Sequence, residues 1–180
     1  MRRWRGWLAG LLLVGLAGTL ALWQWRQRQT HRFDPLIRET ALRYGLDPAL
    51  IKAVVWKESG FRPDAIGAAG EIGLMQLTEP AAQEWAAAER LGPLPPAHLF
   101  DPRTNLLAGA WYLRRSLRRH PQADDPRPFA LAEYNAGRGN VLRWLQGPAA
   151  TNSAAFIQAI GFPATRRYVR DILAATPRFA

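Results

Sequence analysis

The stretch VVWKESGFRPDAIGAAGEIGLMQ, residues 54–76, joins an apolar helical pattern to a glycine-rich loop and a second apolar run. On a helix, four apolar residues and one carboxylate share a face, at positions Leu50, Ile51, Val54, Val55 and Glu58. Because Glu58 continues this apolar stripe, we expect burial to raise the pKa of its carboxyl group. The glycine that follows, Gly60, suits a left-handed helix end that fixes the direction of the Glu58 side chain.

Capping residues and glycines divide the remaining chain into helices. Asp-Pro pairs begin at Asp34, Asp47 and Asp101, and each places a capping oxygen before a proline suited to the first helical turn. No segment shows sustained alternation of apolar and polar residues, so strands are minor. The sequence predicts a mainly α protein with helices over residues 35–44, 48–58, 79–91 (capped by Thr78, ended by Gly92), 102–119, 128–136, 139–146, 153–160 and from 163 onward.

Composition excludes several kinds of site. The chain has 180 residues, no cysteine and three widely separated histidines, so we expect neither a metal site nor a thiol nucleophile, and no cofactor is predicted. The formal net charge is +10, of which +6 lies in residues 1–32. The remaining +4 is too small to indicate a dedicated nucleic-acid binder, and fits an anionic surface or polymer as partner.

An uncharged apolar run occupies residues 7–23, between flanking arginines and tryptophans. As a helix, these 17 residues would span about 26 Å, near the lower limit for a bilayer crossing. We therefore expect a membrane anchor in residues 1–28, a linker over 29–33 and one helical domain over 34–180; a cleaved signal peptide is the alternative to the anchor.

Three motifs occur in order along the predicted domain: Glu58-Ser59, then GEIGLMQ at residues 70–76, then AEYNAG at 132–137, followed by Tyr168 in a late helix. Together they resemble the catalytic domain of the soluble lytic murein transglycosylase family, over about residues 34–175. The resemblance implies a single lysozyme-like helical domain. It also implies a periplasm-facing bacterial enzyme whose partner is the peptidoglycan glycan strand. Together with the apolar run, this predicts an enzyme anchored in the inner membrane through residues 7–23.

The family's reaction cleaves the MurNAc–GlcNAc β-1,4 bond without adding water and leaves a 1,6-anhydro end. The resemblance implies that one carboxyl group, Glu58, acts first as acid and then as base, whereas most glycosidases need a second carboxylate. It also implies substrate-binding positions at Ser59, Gly73, Met75, Gln76, Tyr134, Asn135 and Tyr168. The alternatives are a lysozyme-type hydrolase and, in a different class, a non-catalytic glycan-binding module.

Several of these residues also have an ordinary structural interpretation. The Ser59 hydroxyl can hydrogen-bond a backbone group at the helix end. Met75 can pack in the core, and Asn135 can cap a helix. Glu71 and Glu133 are the candidates for a second carboxylate; we expect Glu71 to face solvent, and Glu133 to be a solvated charge if it lies opposite Tyr134. The arginines at positions 114, 115, 118 and 119 are interpreted as a solvated helix face, with contact to an anionic substrate as the alternative.

Overall fold

The structure, a computed structural model, describes residues 18–24 and 27–180. The chain divides after Phe33, and residues 34–180 form one compact unit. Eight α-helices of this unit follow one another along the chain: α1 (Asp34–Tyr44), α2 (Pro48–Ser59), α3 (Glu79–Ala88), α4 (Pro102–Leu117), α5 (Arg127–Ala136), α6 (Arg138–Trp144), α7 (Ser153–Ala159) and α8 (Pro163–Ala175). Short 3₁₀ turns lie at Pro96–Phe100, Gly147–Ala150 and Thr176–Arg178. The predicted mainly α architecture is confirmed.

Two of the predicted aspartate caps are present. The Asp47 carboxylate accepts a hydrogen bond from the Ala49 N–H at 2.8 Å, and Asp101 accepts one from the Thr104 N–H at the same distance. Each oxygen satisfies a backbone donor that the first helical turn leaves unpaired. The predicted end of α3 was wrong by three residues, because the chain already turns at Arg90, whose φ is 58°.

Regular structure in the described ranges is helical, and extended pairing there is limited to two isolated bridges. Ile72 pairs with Ile66 and with Leu77, so residues 65–77 fold back on themselves. This segment, which we call the 65–77 loop, connects the end of α2 to the start of α3. It contains the second motif of the sequence.

Helix α2 is buried in the packed core along residues 49–55. Residues 49–55 are all buried, including Lys52, whose amine reaches the Asp34 carboxylate at 2.6 Å. The helix packs against α1, α8 and the last 3₁₀ turn, while α5 packs between α4 and α8. A helix buried on most of its faces has its C-terminal residues fixed by the surrounding helices, and this is where Glu58 lies.

The predicted membrane-spanning run falls largely outside the part of the chain that the structure describes. Residues 18–24 and 27–31 are helical, whereas residues 7–17 of the predicted run lie outside the described residues. Across residues 18–24 and 27–180, no helix combines the length and apolar character needed to cross a bilayer.

Candidate active site

The last turn of α2 presents Glu58 beside the 65–77 loop. The helix ends at Gly60, which adopts φ 59° and ψ 38° and donates its N–H to the Trp56 carbonyl at 3.1 Å. This left-handed end stops the helix just after Glu58 and Ser59. Glu58 is half-buried, and burial raises the pKa of its carboxyl group from 4.5 to about 7, with a smaller contribution from the charge of Glu71. The carboxyl group is therefore poised to give and take a proton near neutral pH.

Tyr168 of α8 holds one oxygen of this carboxyl group. Its hydroxyl donates a hydrogen bond to Glu58 Oε1 at 2.5 Å, across 110 positions of sequence. Tyr168 is buried, and burial holds the pKa of its phenol well above the ordinary value, so the phenol is a donor at neutral pH. The contact orients the Glu58 carboxyl group and favours its charged form, in opposition to burial.

Ser59 ties the end of α2 to the 65–77 loop. Its buried hydroxyl lies 2.8 Å from the Leu74 carbonyl and 3.2 Å from the Val55 carbonyl, so its single proton is shared between these two acceptors. The two acceptors belong to the helix and to the loop. These contacts agree with the structural interpretation of Ser59 as a hydroxyl that satisfies a helix end. They also fix the position of the 65–77 loop, which faces Glu58.

Gly73 and Met75 are packing residues in the structure. Gly73 has φ 81°, and a Cβ atom at this position would lie 2.4 Å from Asn105 Nδ2. The space that this glycine leaves is filled by the Asn105 side chain and the Leu99 carbonyl oxygen. Met75 is fully buried, with its sulfur against Gly109. The structure therefore supports the interpretation of Met75 as a core residue.

Gln76 keeps its side-chain acceptor available. Its backbone takes φ 48°, and its Nε2 donates to the Gly73 carbonyl at 2.9 Å and to the Ala65 carbonyl at 3.2 Å. The Oε1 atom lies over Gly67, as does Glu71 Oε2, and a Cβ at Gly67 would meet both oxygens within 3 Å. Glu71 is half-buried, and its Oε2 also accepts the Ala69 N–H at 3.0 Å in an exposed hydrogen bond.

Helix α5 contributes Tyr134 and Asn135 to the same region. The Tyr134 hydroxyl donates to the Met75 carbonyl at 2.8 Å, and burial together with the charge of Glu58 raises the pKa of the Tyr134 phenol well above its ordinary value. Asn135 is exposed and accepts a hydrogen bond from Thr165 Oγ1 at 2.8 Å, which leaves its amide N–H groups for a ligand. The three sequence motifs and Tyr168 thus meet around the end of α2 and the 65–77 loop.

The expectation that Glu133 is a solvated charge was wrong. Its side chain is only 1% exposed, forms an ion pair with Arg119 and accepts a hydrogen bond from Ser116 Oγ at 3.1 Å. Burial by itself raises the pKa of Glu133, but His120, Arg119 and Ser116 beside it lower that pKa below its ordinary value. Glu133 is therefore a charged member of a buried cluster between α5 and the C-terminal end of α4, with partners other than Glu58.

Asn105 is a site residue that the sequence interpretation missed. It is fully buried on α4, where its Oδ1 accepts the Met75 N–H at 2.8 Å and its Nδ2 donates to the carbonyls of Ile72 and Leu99. The bonds to Met75 and Ile72 clamp the 65–77 loop onto α4. The available signal was an amide among apolar residues on the buried face of α4, immediately before Leu106.

Sequence comparisons agree with this arrangement. The profile of the Transglycosylase SLT domain matches residues 35–157. A protein named membrane-bound lytic murein transglycosylase F from Desulfosudis oleivorans is 42% identical over 113 residues, which cover 61% of this chain and 23% of that protein. Membrane-bound lytic murein transglycosylase C from Yersinia pestis is 34% identical over 122 residues, which cover 64% of this chain and 34% of that protein.

Solved structures show the same fold. An inactive glutamate-to-glutamine mutant of lytic transglycosylase Slt from Pseudomonas aeruginosa superposes with a TM-score of 0.73 at 30% identity, over 81% of this chain and 23% of that one. The 70-kDa soluble lytic transglycosylase from Escherichia coli gives 0.74 at 28% identity, over 82% of this chain and 24% of that one. This chain thus matches about a quarter to a third of the length of these relatives. With the family profile covering more than half of its residues, the chain belongs to the Transglycosylase SLT domain family.

Proposed function

We propose that residues 34–180 form a lytic transglycosylase domain that cleaves the MurNAc–GlcNAc bond of peptidoglycan without adding water. The observation that carries the proposal is the half-buried Glu58 carboxyl group, with a pKa of about 7 and the Tyr168 hydroxyl 2.5 Å from its Oε1. The names of the related proteins support the reaction class. That a relative was made inactive by a glutamate-to-glutamine change supports an essential glutamate in the family.

In the proposed reaction, Glu58 donates its proton to the glycosidic oxygen as the bond to the anomeric carbon breaks. The resulting carboxylate then removes the proton from the 6-hydroxyl of the same sugar, whose oxygen attacks the anomeric carbon and closes the 1,6-anhydro ring. Glu58 finishes protonated as it began, so no water is consumed. A pKa near neutrality suits both halves of this cycle.

The other candidate site residues support the glycan in this proposal. Gln76 and Asn135 offer an acceptor and a donor to the sugar's polar groups. Tyr168 orients Glu58, while Ser59, Gly73, Met75 and Tyr134 hold the 65–77 loop against α4 and α5. The binding contribution of these four residues is therefore indirect.

A lysozyme-type hydrolase is the alternative, and it needs a second carboxylate near the scissile bond. Glu133 is already ion-paired with Arg119 in a buried cluster, which argues against this role for Glu133. Glu71 is the remaining candidate, since its charge acts on Glu58. The other alternative, a non-catalytic glycan-binding module, gives no reason for the raised Glu58 pKa.

We also propose that residues 1–28 anchor the domain in the inner membrane through residues 7–23, with residues 29–33 as the linker. The domain then lies on the periplasmic side, where peptidoglycan is its partner. The apolar run between tryptophans supports this placement, as does the term membrane-bound in the names of two relatives. The intact mass of the protein extracted from membranes tests whether this segment is retained.

Digestion of purified sacculi, followed by mass analysis of the muropeptides, tests the reaction. We expect products with anhydro ends, each lighter by one water than a hydrolysed product. The Glu58→Gln variant should lose about 10²–10⁴-fold in rate, whereas Glu79→Gln, a matched change at an exposed acid, should not. Products that carry an added water would favour the hydrolase, and an unchanged rate for Glu58→Gln would refute the acid role.

A further inference from the structure

Two acceptor oxygens lie side by side over Gly67 in the 65–77 loop. A Cβ atom built on Gly67 would be 2.3 Å from Glu71 Oε2 and 2.7 Å from Gln76 Oε1. The two oxygens are therefore at most 5.0 Å apart, which is the sum of these two distances. Both side chains are half-buried, so solvent and ligands reach them. We call Glu71 Oε2 and Gln76 Oε1 the acceptor pair.

Hydrogen bonds within the loop fix the direction of both acceptors. Gln76 Nε2 donates to the carbonyls of Ala65 and Gly73, at 3.2 and 2.9 Å, so the amide oxygen is turned away from these carbonyls. Glu71 Oε2 accepts the Ala69 N–H at 3.0 Å and, as a carboxylate oxygen, has a second lone pair for another donor. Because both side chains are already oriented, binding a ligand here costs little additional conformational entropy.

The hydrogen-bond donors around the acceptor pair are used inside the loop. The Gly67 N–H donates to the Glu71 carbonyl at 2.7 Å, and the Gly70 N–H donates to the Gly67 carbonyl at 3.1 Å. Since both N–H groups of the Gln76 amide face carbonyls, these residues offer a ligand acceptors and one negative charge. A group that only donates, and that carries a positive charge, complements such a surface.

The acceptor pair belongs to the surroundings of the proposed acid. The Ser59 hydroxyl joins the end of α2 to the same loop at the Leu74 carbonyl, 2.8 Å away, and the charge of Glu71 contributes to the raised pKa of Glu58. In an amino sugar, the carbon that bears the nitrogen is bonded directly to the anomeric carbon. A sugar that reacts at Glu58 therefore brings its 2-nitrogen close to the bond being cleaved, within the region that this loop borders.

The chemical state of that nitrogen decides which groups it presents. An acetamido group has a single N–H and a carbonyl oxygen that needs a donor of its own. A free amine is protonated in mildly acidic solution, where it presents three N–H donors and a positive charge, as a lysine ammonium does. An ammonium group can therefore bond Glu71 and Gln76 at once. Hydrogen bonds between two ionised groups are also stronger than those between neutral ones.

We propose that Glu71 and Gln76 select glycan strands in which a sugar at the cleaved bond carries a free ammonium group in place of an acetamido group. This inference rests on the proposed function, which supplies the glycan. Glu71 provides the charge and Gln76 the second acceptor, while Gly67 has no side chain to keep the two oxygens apart. In this role Glu71 determines specificity and takes no part in proton transfer.

Binding of two oligosaccharides without peptides tests the inference apart from catalysis. Glucosamine tetrasaccharide and N-acetylglucosamine tetrasaccharide are titrated by calorimetry into the full-chain Glu58→Gln protein, in mildly acidic buffer of low ionic strength. We expect the glucosamine form to bind at least about tenfold more tightly. Adding Glu71→Gln should remove most of this preference, because the amide keeps the shape but loses the charge. Adding Glu79→Gln, at an exposed acid, should leave it unchanged.

Two further conditions keep this test independent of any folding defect in the Glu71→Gln protein. In the Glu58→Gln protein itself, the preference should disappear in alkaline buffer, where the amine is neutral, and should weaken as salt is added. Equal or weaker binding of the glucosamine form would overturn the inference. A preference that persists in alkaline buffer, or that a folded Glu71→Gln protein retains, would overturn it as well.

Cleavage by the wild-type protein provides the second experiment. Peptide-free glycan strands are treated with an N-deacetylase, and half of the product is acetylated again with acetic anhydride. We expect kcat/KM to be about tenfold higher on the deacetylated strands, mainly through a lower KM, and Glu71→Gln to cleave both at similar rates. Preferential binding of glucosamine without cleavage of either strand would support the inference and reject only the proposed reaction. Faster cleavage of the acetylated strands would contradict the inference.

Discussion

The Tyr168 hydroxyl donates a hydrogen bond to Glu58 Oε1 at 2.5 Å, and this hydrogen bond joins the end of α2 to the middle of α8. Burial raises the pKa of Glu58, while the Tyr168 hydrogen bond lowers it. The value near 7 therefore reflects desolvation opposed by one hydrogen bond, with smaller contributions from the charges of Glu71, which raises the pKa, and Lys57, which lowers it. Tyr168 is therefore a positioning residue that also lowers the pKa of Glu58.

Tyr168→Phe should move the alkaline limb of the pH–rate profile to higher pH. Without the hydroxyl, desolvation is unopposed at this oxygen, so the Glu58 pKa rises above about 7. We expect a rate loss of about tenfold at neutral pH, because the carboxyl group also loses its orientation. Tyr44→Phe is the matched control, since the Tyr44 hydroxyl donates to Glu89 at 3.0 Å and not to a residue of the candidate site. A limb that moves to lower pH would contradict this account.

Glu58→Gln should make the protein more stable than the wild type at alkaline pH. The folded pKa of Glu58 is raised above its unfolded value of 4.5, so its stabilising contribution is complete below pH 4.5 and is lost as pH rises through about 7. For a half-buried group we expect the loss to reach about 2–3 kcal/mol. Chemical denaturation of both proteins from pH 4 to pH 9 measures it; a pH-independent difference would exclude the raised pKa.

Gly73→Ala and Gly70→Ala separate backbone strain from steric clash. Both glycines have a positive φ, 81° and 86°, so alanine strains either position by about 1–2 kcal/mol. Only at Gly73 would the new Cβ meet protein atoms, namely Asn105 Nδ2 at 2.4 Å and the Leu99 carbonyl oxygen at 2.6 Å. We expect Gly73→Ala to cost at least about 2 kcal/mol more than Gly70→Ala, measured by thermal and urea unfolding. Equal costs would mean that the Asn105 clamp is not tight.

Glu133→Gln should destabilise the domain by about 1–3 kcal/mol, because Arg119 and Ser116 lose a buried charged acceptor. Because the folded pKa of Glu133 is lowered, its contribution to the free energy of unfolding depends on pH. The contribution is present above the unfolded pKa of 4.5 and is lost as pH falls through the folded pKa. Unfolding at pH 7 and at pH 3 should show a difference that shrinks in acid. Glu84→Gln removes the more exposed ion pair with Arg115 and should cost under about 1 kcal/mol.

Local signals in the sequence determined the helices of residues 34–180. Asp47, Thr78 and Asp101 each start a helix because their side-chain oxygens satisfy donors within three residues, and Gly60 ends α2 because it adopts a left-handed conformation. The spacing of Glu58 on its helix likewise indicated a shielded carboxyl group. These properties depend on neighbours within about one turn, so the chain alone specifies them.

The tertiary structure alone decided which faces of these helices meet. Glu133 is buried because Ser116, in the last turn of α4, and Arg119, just beyond that helix, enclose it, and Asn105 acts as a clamp because the 65–77 loop folds over α4. Contacts between residues far apart in sequence depend on packing, which no local pattern encodes, and this is why the Glu58–Tyr168 bond required the fold.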